Sequence, residues 1–135
     1  MDTIKTLETT RIIDYRVLKI SSSTFQQNEP IPKKHTCDGQ NINPPLHIEG
    51  ITEEAKSLAI IVDDPDAPGG DFCHWVSWNI PVTYQIKERE NRGQTGRNDF
   101  GRNRYDGPCP PPGIHSYRFK VYTLDCILNL HSNSE

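Results

Sequence analysis

Long apolar runs, an excess of basic charge and closely paired cysteines are all missing from this chain of 135 residues. No window approaches the roughly 18 consecutive apolar residues that a membrane-spanning helix requires. The stretch from Met1 to Arg11 has neither the basic start nor the apolar run of a secretory signal, so a soluble, cytoplasmic protein is expected. The formal net charge is −3, whereas a general nucleic-acid binder carries a strongly basic face; no nucleic-acid partner is expected. The richest basic stretch interleaves Lys87, Arg89, Arg92, Arg97, Arg102 and Arg104 with Glu88, Glu90 and Asp99, which reads as a solvated loop. Cys37, Cys73, Cys109 and Cys126 form no C-x-x-C pair and match no zinc-ligand spacing, so they read as reduced thiols. No H-E-x-x-H motif points to a catalytic metal. No internal repeat is present, which sets aside solenoids and propellers.

What the chain does have is turn chemistry, with 11 prolines and 9 glycines, and room for one domain over residues 1–135 with one core. Ser57 to Asp63 is a nearly continuous apolar run of strand length, the pattern of a strand buried on both faces at the centre of a sheet. Cys73 to Ile80 alternates, with His74, Val76, Trp78 and Ile80 on one face and Trp75, Ser77 and Asn79 on the other. His115 to Leu124 alternates too, with His115, Tyr117, Phe119, Val121 and Thr123 pointing one way. Ile13 to Ile20 reads as a strand with a change of phase, as at a bulge. Only Thr52 to Lys56 looks helical, with Thr52 able to cap a turn. The sum is an all-β domain, an antiparallel sandwich with at most short helices.

Two connections stand out. Asp63 to Asp71 follows the most apolar strand, and Pro65 and Pro68 forbid continuation of the ladder. Gly107 to Gly113 holds four prolines, which fix φ and stiffen the chain directly before His115. A carboxylate pair, Asp64 and Asp66, therefore ends one strand, His74 opens the next, and His115 with Tyr117 opens a third. Strand ends of one sheet can converge. Imidazole and phenol groups donate to phosphate or carboxylate, and a nearby anion favours the charged histidine. Asp64 beside an anion would orient a histidine or receive the ammonium end of a zwitterion. Each residue also has a plainer reading. Asp-Pro-Asp is ordinary turn chemistry, His74 and Tyr117 suit an apolar face with their polar atoms satisfied, and Cys109 has no base adjacent in sequence to make it a nucleophile.

The runs Asp64-Pro-Asp-Ala-Pro68, His74-Trp75, Tyr105-Asp-Gly-Pro-Cys-Pro-Pro111 and Gly113-Ile-His115-Ser-Tyr117 together resemble the phosphatidylethanolamine-binding protein family, nearest its bacterial and archaeal, Raf-kinase-inhibitor-like branch. The likeness extends from about Phe25, through Thr36-Cys-Asp-Gly-Gln-Asn41 and Pro44-Pro-Leu46, to about Asp125. It implies a β-sandwich with a small anion pocket at one end. By position, Asp64, His74, His115 and Tyr117 match the family's pocket residues, and Gly107, Cys109 and Pro110 the loop that lines it. Ser116 departs from the pattern, standing where many members have arginine. The chain ends at Glu135, about where related chains continue into a helix and a strand. The expectation is a truncation or an incomplete sheet edge, and an uncovered edge invites pairing into a homodimer.

The leading expectation is a regulatory binding module, not an enzyme and without cofactor, that takes a phosphate or phosphorylated headgroup. The alternative is a protein inhibitor with a kinase or protease as partner, acting through a surface loop. A metal-dependent hydrolase ranks last: two histidines and a carboxylate match the ligand count of an open site, but no metal-binding motif accompanies them.

Overall fold

The computed structural model describes residues 18–90, 92–109 and 116–129, together with the backbone of residues 2–6. The apolar run forms strand β4 (Ser57–Asp64), and the alternating segments on either side of it in space form β5 (Phe72–Ile80) and β8 (Tyr117–Leu124). With β1 (Asp2–Thr6) and β7 (Gln94–Thr95) they make a five-stranded sheet ordered β1-β8-β4-β5-β7, so β4 occupies the predicted centre. A second sheet, ordered β2-β3-β6, is built from β2 (Lys19–Ser21), β3 (Leu46–Glu49) and β6 (Gln85–Ile86). All pairings are antiparallel except β1 with β8, where Asp2 lies opposite Tyr117 in a parallel register.

The core lies between the sheets. Leu18, Ile20, Leu46, Ile48 and Ile86 come from the smaller sheet and its approach, and Leu58, Ile60, Val62, Trp75, Ile80, Phe119 and Val121 from the larger. Phe25 bridges the layers, its ring centroid 5.9 Å from that of Phe119. Each large side chain so buried contributes roughly 1.5–3 kcal/mol relative to exposure. The fold is therefore all-β, as expected, and the inward set Tyr117, Phe119, Val121 and Thr123 of β8 is as the alternation reads it.

Three expectations change. Ile80 does not share a face with Val76 and Trp78. Ser77 pairs with Ile60 and Ile80 with Leu58, so two residues of β5 oppose Ala59 alone. This bulge, where Asn79 takes φ of 55°, moves Ile80 onto the core face with Trp75. Thr52 to Lys56 is not helical. Glu53 and Glu54 make a turn closed by Ala55 N–H donating to the Thr52 carbonyl at 3.2 Å, while the buried Thr52 hydroxyl has no hydrogen-bond partner among the described residues. The helical piece that does occur among the described residues is a 3-10 turn, Lys33–His35. Finally, the cysteines are not all reduced: Cys37 and Cys109 form a disulfide with Cα atoms 5.2 Å apart, and Cys73 and Cys126 stand outside it. Sequence spacing cannot show such a pair, because the two cysteines are 72 residues apart. Of the expected strand Ile13 to Ile20, residues 13–17 lie outside the described residues, and its end is the short β2.

Candidate functional site

The site starts from a second irregularity in β5. Val62 pairs with Trp75 and Asp63 with Cys73, which leaves His74 as the extra residue of a bulge. Bulges re-aim side chains, and here the imidazole enters a cluster of rings at the end of the larger sheet. Its centroid lies 5.3 Å from Tyr117, 5.2 Å from Phe72 and 5.6 Å from Phe100. His74, Tyr117 and Asp64 are all buried. Asp64, the last residue of β4, is close enough for its charge to oppose the burial-driven drop in the His74 pKa and to add to the rise in that of Tyr117. The structure thus brings together Asp64, His74 and Tyr117 from three adjacent strands, as the convergence argument expects.

The electrostatics follow from burial. Loss of solvation pulls the His74 pKa below 6.5, against the opposing pull of the Asp106 carbonyl and the Asp64 charge. Nδ1 of His74 lies 2.8 Å from the Asp106 carbonyl oxygen. A carbonyl only accepts, so Nδ1 carries the hydrogen, and Nε2 is the accepting nitrogen of the neutral ring. The orienting acceptor is thus the Asp106 backbone, not the Asp64 carboxylate. Tyr117 is pushed up to about 12, first by burial and then by Asp64, so its hydroxyl keeps its proton at neutral pH and can donate.

Asp66 lies in the exposed turn after β4 and serves as a tie. Its N–H donates to Asp64 Oδ1 at 2.8 Å, and its own Oδ2 accepts the Ser116 N–H at 2.8 Å. The entry to β8 is thereby fastened to the exit from β4. Gly107 is buried, with its N–H donating to Asn41 Oδ1 at 2.8 Å. A Cβ at this position would collide with the His35 carbonyl, so glycine is required by close backbone approach. Cys109 is disulfide-bonded and has no free thiol to offer as a nucleophile. Pro110 and His115 lie outside the described residues.

Sequence reading missed the group that holds this arrangement. Asp106 is fully buried, and its carboxylate accepts from Asn41 Nδ2 (2.9 Å), Asn98 Nδ2 (2.8 Å), Arg102 Nε (2.9 Å) and Arg104 Nε (3.1 Å). Burial alone would push the carboxyl up. The bonds from Arg102 and Asn98, the charge of Arg104 and the bond from Asn41 outweigh it and hold the pKa below the usual carboxylate range. Two arginines of the stretch read as a solvated loop are therefore partners of a buried charge. The available signal was an aspartate between basic residues and a Gly-Pro turn, in Arg104-Tyr-Asp-Gly-Pro108. The same loop is clamped to residues 33–41 by Tyr105 Oη donating to the His35 carbonyl (2.7 Å) and Cys37 N–H donating to the Pro108 carbonyl (3.1 Å). Among the described residues, no three His, Cys, Asp or Glu side chains are grouped to hold a metal ion.

Comparison with known proteins places this geometry in context. The family profile described as phosphatidylethanolamine-binding protein matches residues 21–134. The UPF0098 proteins of Pyrococcus abyssi and Pyrococcus horikoshii are 57% and 56% identical over 120 and 124 residues, covering 81% and 84% of this chain. The matched part spans 67% and 62% of the length of those two relatives, and 40% of a UPF0098 protein of Archaeoglobus fulgidus. Among solved structures, the phosphatidylethanolamine-binding protein homolog CT736 of Chlamydia trachomatis superimposes with a TM-score of 0.80 at 37% identity, covering 84% of this chain and 79% of its own. YbcL of E. coli, a member of the mammalian PEBP family, gives 0.79 at 34% identity, covering 87% and 83%.

Proposed function

This chain belongs to the phosphatidylethanolamine-binding protein family, and from that premise we propose that the end of its larger sheet receives a small anion, a phosphate or a phosphorylated headgroup, whose occupancy serves a regulatory role. The observation that carries the reading is the convergence of a buried histidine and a buried tyrosine, from β5 and β8, on one aromatic cluster beside Asp64. Tyr117 supplies a neutral donor. His74 is held by the Asp106 carbonyl with its second nitrogen unprotonated.

An arriving phosphate changes the balance at His74. An unprotonated Nε2 and a phosphate dianion both accept, so one of the two takes up a proton for a hydrogen bond to form. The neighbouring negative charge raises the imidazole pKa, and the resulting imidazolium donates a charge-assisted bond. Asp64 suits a ligand with an ammonium group near its phosphate, as in phosphoethanolamine.

Calorimetric titration with inorganic phosphate and with phosphoethanolamine, at fixed ionic strength near pH 7 and in buffers of different ionisation enthalpy, tests this. The expectation is saturable binding with uptake of up to about one proton, and a loss of about tenfold or more in affinity for His74→Ala. Binding that is undetectable at millimolar ligand, or indifferent to His74→Ala, would sink the reading.

A further inference from the structure

At the start of β8 the site is offered Ser116 and Tyr117, neither of which carries a positive charge. A guanidinium reaches the aromatic cluster from elsewhere. The Cζ of Arg102 lies 5.4 Å from the ring centroid of Phe100, and the Phe100 ring meets both His74 and Phe72 edge-on, at 5.6 and 4.9 Å. Arg102 is thus two ring contacts from the histidine.

Its presentation is rigid. Asn98 Oδ1 accepts the N–H groups of Phe100 (2.9 Å) and Arg102 (3.1 Å), and the Asn98 N–H donates to the Arg102 carbonyl (2.8 Å). Asn98 Nδ2 in turn donates to the carbonyls of His74 and Arg104 and to Asp106. The Arg102 side chain is 49% exposed. Its Nε is spent on Asp106, and its Nη groups donate to no described residue. Arg102 and Arg104 together face one Asp106 carboxylate, so the pairing leaves positive charge in excess. The other acid of the loop, Asp99, is turned to the Cys73 N–H at 2.7 Å.

A stacked guanidinium whose two Nη groups are unspent among the described residues matches the planar geometry of a carboxylate. Because the loop is already ordered, little freedom is lost on binding. We propose that Arg102 is a specificity-determining residue: it takes a second anionic group of the ligand, so the site prefers a small phosphorylated molecule that also bears a carboxylate. This rests on the anion-receptor reading above. Arg104 shares Asp106 with Arg102 but makes no such ring contact among the described residues, and is the natural control.

O-phosphoserine and O-phosphoethanolamine share a phosphate monoester and an ammonium group and differ by one carboxylate. Their affinities are to be compared by calorimetry for the wild-type chain, Arg102→Gln and Arg104→Gln, with glycerophosphoserine as a probe for the lipid-headgroup form of the same chemistry. The wild-type chain is expected to bind phosphoserine about tenfold more tightly than phosphoethanolamine, the scale of one charge-assisted contact at a half-exposed position. Arg102→Gln is expected to bring the ratio to within about twofold of unity. Arg104→Gln, which costs Asp106 the same kind of partner, should lower both affinities alike and keep the ratio. Binding of glycerophosphoserine comparable to that of phosphoserine assigns the chemistry to a lipid headgroup, and binding of phosphoserine alone assigns it to a free monoester; both retain the role of Arg102. Equal affinities in the wild-type chain, or a ratio that survives Arg102→Gln, overturn it while leaving the anion receptor intact. Failure of both monoesters to bind removes the receptor reading itself.

Discussion

A carboxylate with no exposure persists at position 106 because four side chains donate to it and two of them are charged. Removing the charge of a buried, fully hydrogen-bonded ion leaves its partners uncompensated, a cost of about 3–5 kcal/mol for buried pairs. Arg102 and Arg104 keep partial access to water, so Asp106→Asn is expected at the low end, about 3 kcal/mol, read as a shift of the urea midpoint. Because the backbone of Asp106 also holds His74 Nδ1, the variant should move the His74 ring resonances as well. A loss below about 1 kcal/mol with unmoved ring signals would mean that Asp106 is a surface-like pair. At this scale the sequence was informative where chemistry follows from residue type and strand position. The nearness of Asp64, His74 and Tyr117 could be read because each lies at the opening or close of a strand of one sheet. Asp106 could not, because its partner Asn41 lies 65 residues away and the local signal, its nearness to Arg102 and Arg104, does not by itself tell a buried charge from a solvated loop.

The elements that surround the site are short, and the connections between them do much of the positioning. The loop Tyr105–Cys109 is held to residues 33–41 by the Tyr105 hydroxyl, the Asn41 amide, the Cys37 N–H and the Cys37–Cys109 disulfide. A cross-link closing a loop of 72 residues removes about 4 kcal/mol of chain entropy from the unfolded state in the simplest treatment, and measured values fall near 2–4 kcal/mol. The double substitution Cys37→Ser with Cys109→Ser is therefore expected to lower stability by about 2–4 kcal/mol in denaturant titration. In sequence, His115 falls between two anchors, the disulfide at Cys109 and the Ser116 N–H bound to Asp66, so the same variant should also bind phosphate more weakly. Unchanged phosphate affinity would show that the remaining contacts of the loop suffice. The strands themselves were legible from alternation and the apolar run. Their two bulges were not, because the pattern of β5 fits a regular strand equally well, and only pairing against β4 shows that Ala59 faces two residues and that His74 is the extra one.

For the molecule as a whole, the buried titratable groups act in a common direction on the acid side. His74 and His35 both titrate below the free imidazole value because burial disfavours the imidazolium. For a histidine so depressed, the unfolded chain binds more protons than the fold below about pH 6.5, and stability falls as pH drops from there through the folded-state values. Asp63 and Asp106 also sit below the usual carboxylate range. Burial opposes this in each, but Arg118 and Lys120 on Asp63, and Arg102 with Asn98 on Asp106, prevail. Their contribution is complete above about pH 4 and is lost as they protonate below it. On the alkaline side, Tyr117 is raised to about 12. The stability tied to its neutral form is present below about pH 10 and lost as pH rises through the folded value. The urea midpoint should thus be flat from about pH 7 to 10, decline in a first step below about 6.5 and in a second below about 4, and decline again above about 10. The two acid steps belong to different places: the first to the imidazoles behind and within the site, the second to the ion pairs between β4 and β8 and in the Asp106 loop. Saturating phosphate should shrink the first step or reverse its slope, because the ligand favours the imidazolium that burial opposes, and leave the second in place. A stability maximum below pH 5 without ligand would contradict the assignment, since it would require histidines that gain charge on folding rather than lose it.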